Sequence, residues 1–237
     1  MKHRRYAVLI WAISLLVPAL SWANEPAYQR GEYTQALEGF LKQVEQPNIA
    51  QGPLYYNIGN TYYKQGDYAK AYWAYRKAER HLPRDNDLYH NRILTETQLG
   101  FSPVKDSGLV LWAKRFPFLS TAEYSLATCL SLTVFSALLW IGLRFRLYKG
   151  ALVVSGIVTL CFGMGTCYRY YQDHIRHDGV VITTSAIKAG PVKTLPTLTT
   201  LPAGTPCQRL RQDKGWVEVR ISDTLSGWIL EGDYWAL

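Results

Sequence analysis

The chain has 237 residues, of which 48% are hydrophobic, and a formal net charge of +8, which leaves room for one large domain or two small ones. The charge is scattered: three cations (Lys2, Arg4, Arg5) stand at the N-terminus and three (Arg144, Arg146, Lys149) between two apolar runs, while residues 24–106 carry ten Lys/Arg and ten Asp/Glu and residues 179–237 carry six against five. No segment holds the basic stripe that phosphate binding needs, so a nucleic-acid partner is not expected.

In chain order, residues 1–23 read as a signal peptide. A positive flank (Lys2, Arg4, Arg5) precedes a short apolar run, and Ser21 and Ala23 supply the small residues at −3 and −1 of a cleavage site. The run is shorter than the ~20 residues a spanning helix needs. Residue 24 onward is therefore expected to begin outside the cytoplasm.

Residues 24–100 carry a long pattern in register: Tyr55, Ile58, Gly59, Tyr62, Gly66, Tyr68, Ala71, Tyr75, Ala78 and Pro83. Helical spacing puts Tyr55, Ile58 and Tyr62 on one inward face. Gly59 and Ala71 are small where two antiparallel helices cross, Gly66 ends the first helix, and Pro83 stops the second. Gly31, Tyr33, Ala36 and Phe40 repeat the second half of this pattern upstream, and residues 86–99 read as one further helix acting as a cap. The pattern resembles tetratricopeptide repeats, in about two copies plus the cap. That resemblance implies a concave groove lined by first helices, with Tyr56, Asn60 and Tyr63 from one and His90 and Asn91 from the next. The groove reading is a site for a peptide or extended partner segment, with aromatic anchors and an amide to fix backbone. The alternative is that these side chains are surface fill.

Residues 101–120 form a Pro-interrupted connector, either an interfacial segment or an ordinary linker. Within 121–170 follow two uncharged runs, 125–143 and 150–168, each long enough to span a bilayer core of about 30 Å. The loop 144–149 is wholly positive, which places it in the cytoplasm, and Tyr124, Tyr168, Tyr170 and Tyr171 suit the opposite interface. Export by the signal segment predicts the same topology. The expected location is the bacterial inner membrane, multi-pass, with both flanking domains periplasmic. No ionisable residue lies inside either run, so ion transport has no carrier; Gly156, Gly163, Gly165, Ser131, Ser136 and Ala137 offer small faces for helix contact.

Residues 179–237 alternate short Val/Ile/Thr/Trp runs with Gly, Pro and Asp turns, predicting a small all-β barrel. Gly190-Pro191, Leu201-Pro-Ala-Gly204-Thr205, Gly215-Trp216 and Gly227-Trp228 occur in an order similar to bacterial SH3-like domains. Trp216, Trp228 and Trp235 are candidates for an aromatic ligand platform for cell-wall peptide or a proline-rich strand; packing in the barrel core is the favoured expectation for Trp216 and Trp228. Cys129, Cys161, Cys167 and Cys207 lack metal or redox spacing, with Cys207 a lone thiol outside the membrane. The five histidines are spread thinly, and His174 and His177 could meet on one helical face but find no further ligand. No catalytic set is apparent, so neither enzyme activity, a metal nor a cofactor is expected.

The whole is thus read as multi-domain: α-helical repeats, a two-helix transmembrane hairpin and a small all-β SH3-like barrel. This order resembles the tetratricopeptide-repeat members of the bacterial aerotolerance (Bat) group. The resemblance implies membrane-anchored von Willebrand A-type partners and a scaffold role, peptidoglycan sensing through the SH3-like domain being the alternative.

Overall fold

The computed structural model describes residues 25–101, 119, 121–145, 149–171 and 178–237. The expected signal segment, nearly all of the connector, His174, His177 and the centre of the positive loop lie outside the described residues.

Among the described residues five helices come first: α1 (Glu25–Gln29), α2 (Tyr33–Val44), α3 (Gln51–Lys64), α4 (Tyr68–His81) and α5 (Asn86–Gln98). One cap recurs at three ends. Gly31, Gly66 and Gly100 all sit at φ between +76° and +80°, a region only glycine enters without strain. Beyond each, the next amide reaches back to close the turn: Glu32 N–H to Ala27 O at 2.9 Å, Asp67 N–H to Tyr62 O at 3.0 Å and Phe101 N–H to Glu96 O at 2.9 Å. This is the Schellman arrangement, which satisfies carbonyls a helix end leaves open. Asp67 and Asp85 then start the next helices by accepting from Lys70 N–H at 3.2 Å and Leu88 N–H at 2.9 Å. Identical stops in near-identical spacing give the N-terminal half its repeated helical plan.

The apolar stripes meet in one core. Ala36, Phe40, Leu54, Tyr55, Ile58, Tyr62, Ala71, Ala74, Tyr75, Ala78 and Leu88 are all buried, as helical spacing predicts for Tyr55, Ile58 and Tyr62. At the α3–α4 crossing, a Cβ added to Gly59 would sit 2.6 Å from the Tyr75 ring. The helices can approach only because that position has no side chain.

Helices α6 (Thr121–Phe145) and α7 (Lys149–Tyr170) form the hairpin. Both are long and apolar enough to cross a membrane, over Thr121–Leu143 and Gly150–Tyr170, and each extends past the uncharged run by a few residues. Thr128 and Thr166 share a hydroxyl hydrogen bond of 2.8 Å across it. Gly165 lies against Tyr124 and Gly156 against Phe135, whereas Gly163 faces outward with nothing within 4 Å. At the end nearer the helical domain, Arg84 pairs with Glu123 at 2.5 Å, and buried Arg169 donates to the Arg80 carbonyl at 3.4 Å. The C-terminal end of α4 therefore rests on the hairpin.

The C-terminal part is a seven-stranded antiparallel sheet in the order β3-β2-β6-β5-β4-β1-β7. Its strands are β1 (Asp178–Val181), β2 (Ser185–Lys188), β3 (Thr197–Leu201), β4 (Pro206–Asp213), β5 (Trp216–Arg220), β6 (Ser226–Leu230) and β7 (Tyr234–Ala236). Val181, Ile187, Leu201, Val217, Val219, Ile229 and Tyr234 make its core. Cys207 belongs to that core rather than to the surface, and burial pushes its thiol up to about 12, so it stays protonated and inert.

The helical and β parts touch. Strand β1 alternates by residue: Val181 enters the sheet core, while Val180 joins the helical core. Strand β7 pairs with β1 on one side only, and its other side meets α4. There Trp73 Nε1 donates to Ala236 O at 2.8 Å and the Arg80 guanidinium to Leu237 O at 2.9 Å. An edge that would otherwise expose unpaired backbone is covered by a helix of the same chain.

Candidate functional site

A cleft of about 250 Å³ opens on the helical domain, lined by Tyr28, Asn60, Tyr63, Lys64, Tyr75, Asn91 and Leu94. The chain's plan explains who lines it. Asn60 and Tyr63 project from α3 and Asn91 and Leu94 from α5. Tyr75 from α4 forms the floor.

The polar groups are tied into one network. Asn60 Oδ1 accepts from the Tyr75 hydroxyl at 2.8 Å and from Asn91 Nδ2 at 3.0 Å. Asn91 Nδ2 also donates to the Tyr56 hydroxyl at 3.0 Å. Burial raises the Tyr75 phenol well above its ordinary range, so it stays neutral and keeps its proton for Asn60. Rings complete the walls: Tyr56 lies 6.1 Å from Tyr75, and Tyr63 lies edge-on to Tyr68 at 5.3 Å. Lys64 is the one charged lining residue, and it is exposed.

Of the five groove residues expected from sequence, Asn60, Tyr63 and Asn91 line this cleft and Tyr56 is bonded to it through Asn91. His90 is exposed and is not among the lining residues. One residue of helix is about 100° of turn, so His90 and Asn91 cannot serve the same face. Tyr28, Lys64, Tyr75 and Leu94 were not anticipated. Tyr75, a position of the repeat pattern, does two jobs: its ring is core and its hydroxyl bonds Asn60 in the cleft.

The tryptophans differ from expectation. The burial of β5 and β6 alternates, with Val217, Val219 and Ile229 inward and Trp216 and Trp228 half-buried on the opposite face. They are therefore not barrel core. Register places Trp216 beside Leu230 and Trp228 between Glu218 and Lys188, making an aromatic strip on the outer face. Glu218 is held there by Arg211 at 2.9 Å.

Trp235 belongs elsewhere. It packs edge-on against Trp73 at 4.7 Å between ring centres, and Trp73 in turn meets Tyr55 at 5.7 Å. Lys77 lies 4.9 Å from the Trp73 ring and 5.0 Å from Tyr55, and Lys70 lies 5.8 Å from Trp235. Positions 70, 73 and 77 share one face of α4, so the stack follows from helical spacing. Burial lowers the Lys77 pKa, with Arg80 adding to the effect, and the ring faces offset part of the desolvation. Trp235 thus serves a joint between domains, not a platform with Trp216 and Trp228.

Among the described residues no three His, Cys, Asp or Glu side chains gather closely enough to hold a metal ion. The cleft offers hydrogen bonds and ring faces. Compared with known proteins, the chain matches no family model, no curated protein and no solved structure.

Proposed function

We propose that the chain is a non-catalytic, inner-membrane-anchored scaffold that recruits protein partners in the periplasm through the cleft on its helical domain. In this reading the helical part is a short tetratricopeptide array, the sheet an SH3-like barrel, and the hairpin a multi-pass anchor with the loop 144–149 in the cytoplasm. A Bat-type complex with von Willebrand A-domain proteins is the assembly the family resemblance suggests. The observation that carries the reading is the cleft itself: three of the groove residues picked out from sequence line one concave, tyrosine-walled site, and hydrogen bonds hold its amides in place. Rigid aromatic walls with fixed amides suit an extended polypeptide.

The test is affinity purification of the tagged full chain from membranes. Wild-type protein is expected to bring down a membrane partner of the von Willebrand A type, and Tyr56→Ala combined with Asn60→Ala to lose most of it. Unchanged recovery by the double variant would remove the cleft from the account.

The outer strip on the sheet favours a second reading, in which Trp216 and Trp228 bind peptidoglycan and the hairpin only tethers the domain. Trp216→Ala with Trp228→Ala leaves partner recovery intact under the first reading. Retention of the wild-type chain on purified sacculi, lost in that pair, would favour the second.

A further inference from the structure

The two cleft asparagines touch each other, and that contact restricts what the cleft can accept. A side-chain amide has one donor group and one acceptor. Where two amides join, the oxygen of one meets the nitrogen of the other, here Asn91 Nδ2 to Asn60 Oδ1 at 3.0 Å. One nitrogen and one oxygen are then left over. Among the described residues Asn60 Nδ2 and Asn91 Oδ1 make no other hydrogen bond, and neither belongs to the buried polar atoms lacking partners. If both amides were turned over, the leftover pair would again be one donor and one acceptor. The residue pair fixes this complement, whichever way the amides are set.

One donor beside one acceptor complements a single residue of an extended chain, whose own N–H and C=O point to the same side. A carboxylate or phosphate asks for donors only and would meet the leftover oxygen as a repulsion. Among the described lining residues Lys64, exposed at the rim, is the only cation that could offset this. The remaining walls are tyrosine rings and Leu94. Resting on the recruitment reading above, we infer that the Asn60–Asn91 pair grips the N–H and C=O of one residue within an uncharged, extended internal segment of the partner, and that the cleft discriminates against acidic tails and free carboxyl ends.

The full chain, 15N-labelled at asparagine and held in nanodiscs, allows the test by NMR. The probes are N-acetyl-alanine N′-methylamide, which carries both peptide groups, and acetate. The diamide is expected to shift the side-chain resonances of Asn60 and Asn91 along a saturable curve, and acetate at equal concentration to leave them in place. Asn60→Asp keeps an oxygen for Tyr75 and Asn91 but turns the outward donor into an acceptor. It is expected to weaken the diamide by about tenfold, the worth of one hydrogen bond exchanged for a clash of acceptors. Asn91→Asp replaces the inward donor by an oxygen, so Asn60 must turn its nitrogen inward to meet it and present its own oxygen outward. It should weaken the diamide similarly, which guards against misfolding of either variant. Shifts with acetate and none with the diamide would overturn the inference. So would diamide binding that both aspartate variants leave unchanged. Recovery of a cleft-dependent partner that is insensitive to both variants would also overturn it, while leaving the recruitment reading standing.

Discussion

Replacing Trp73 by alanine is expected to destabilise the helical domain and release the β-domain from it in one step. Trp73 is 8% exposed, donates to Ala236 O, and stacks against Trp235 and Tyr55. Truncating a buried tryptophan costs about 3–5 kcal/mol through lost transfer energy and the cavity left behind. Trp235→Ala removes a half-buried ring from the other side of the joint, so it should cost less in helical stability while loosening the joint similarly. The measurement is the distance distribution between spin labels at exposed Gln65 and Ser222, in a background with Cys129, Cys161 and Cys167 replaced by serine. Cys207 can stay, because it is buried with a thiol pushed up to about 12. A single narrow distribution is expected for the parent and a broad one for both tryptophan variants. A narrow, unchanged distribution in Trp73→Ala would mean that the joint is held by something other than this stack.

Gly59→Val is expected to be the second severe substitution. Two effects of a side chain here oppose each other. Glycine in a helix interior is about 1 kcal/mol worse than alanine, so any side chain gains some local helix stability. Against that, even a Cβ would lie 2.6 Å from the Tyr75 ring, which is only 1% exposed and held through its hydroxyl by Asn60. With nowhere for the ring to move, overpacking by about 1–3 kcal/mol prevails, and valine adds two methyls to the same contact. Thermal unfolding followed by far-UV circular dichroism should show a lower midpoint for Gly59→Ala and a much lower one for Gly59→Val. A rise for Gly59→Ala would show that Tyr75 can yield and that the crossing is looser than its geometry implies.

The Gly59 crossing shows why part of the molecule could be read from residues alone. Gly59, Gly66, Ala71 and Tyr75 stand where backbone rules leave little choice, and the same rules applied upstream locate the cap at Gly31 and the buried Ala36 and Phe40. Two uncharged runs of spanning length are equally plain. The cleft was partly legible for the same reason: Asn60 and Tyr63 lie on the face of α3 that faces away from Ile58 and its buried neighbours. Tyr28 and Leu94 were not legible, because their place depends on how short α1 and the capping helix pack, which no local pattern encodes.

The tryptophans show the opposite failure. Trp216 alternates with Val217 and Val219, and a period of two already sets it on the other face from the valines. Size favours the core, but alternation decides. Trp73 carried a signal as well, since it falls off the Ala71–Tyr75–Ala78 stripe and is flanked by Lys70 and Lys77. A surplus aromatic between two lysines on the outer face of a helix needs a partner, and only the fold identifies it as Trp235, 162 residues further on.

Helix α4 thus touches the cleft, the sheet and the hairpin alike. Its Tyr75 floors the cleft, its Trp73 and Arg80 hold strand β7 and Leu237, and its last turn meets the hairpin at Arg169. On the proposed reading this arrangement presents the cleft at a fixed distance from the hairpin, as recruitment of a membrane-held partner would require. The most direct test is photo-crosslinking in living cells, with a benzophenone amino acid placed singly at Tyr63, Leu94 and, as a remote exposed control, Asp223. The account predicts that positions 63 and 94 capture the same protein and that position 223 does not. Absence of any adduct at both cleft positions, or capture of that protein at position 223 alone, would contradict it.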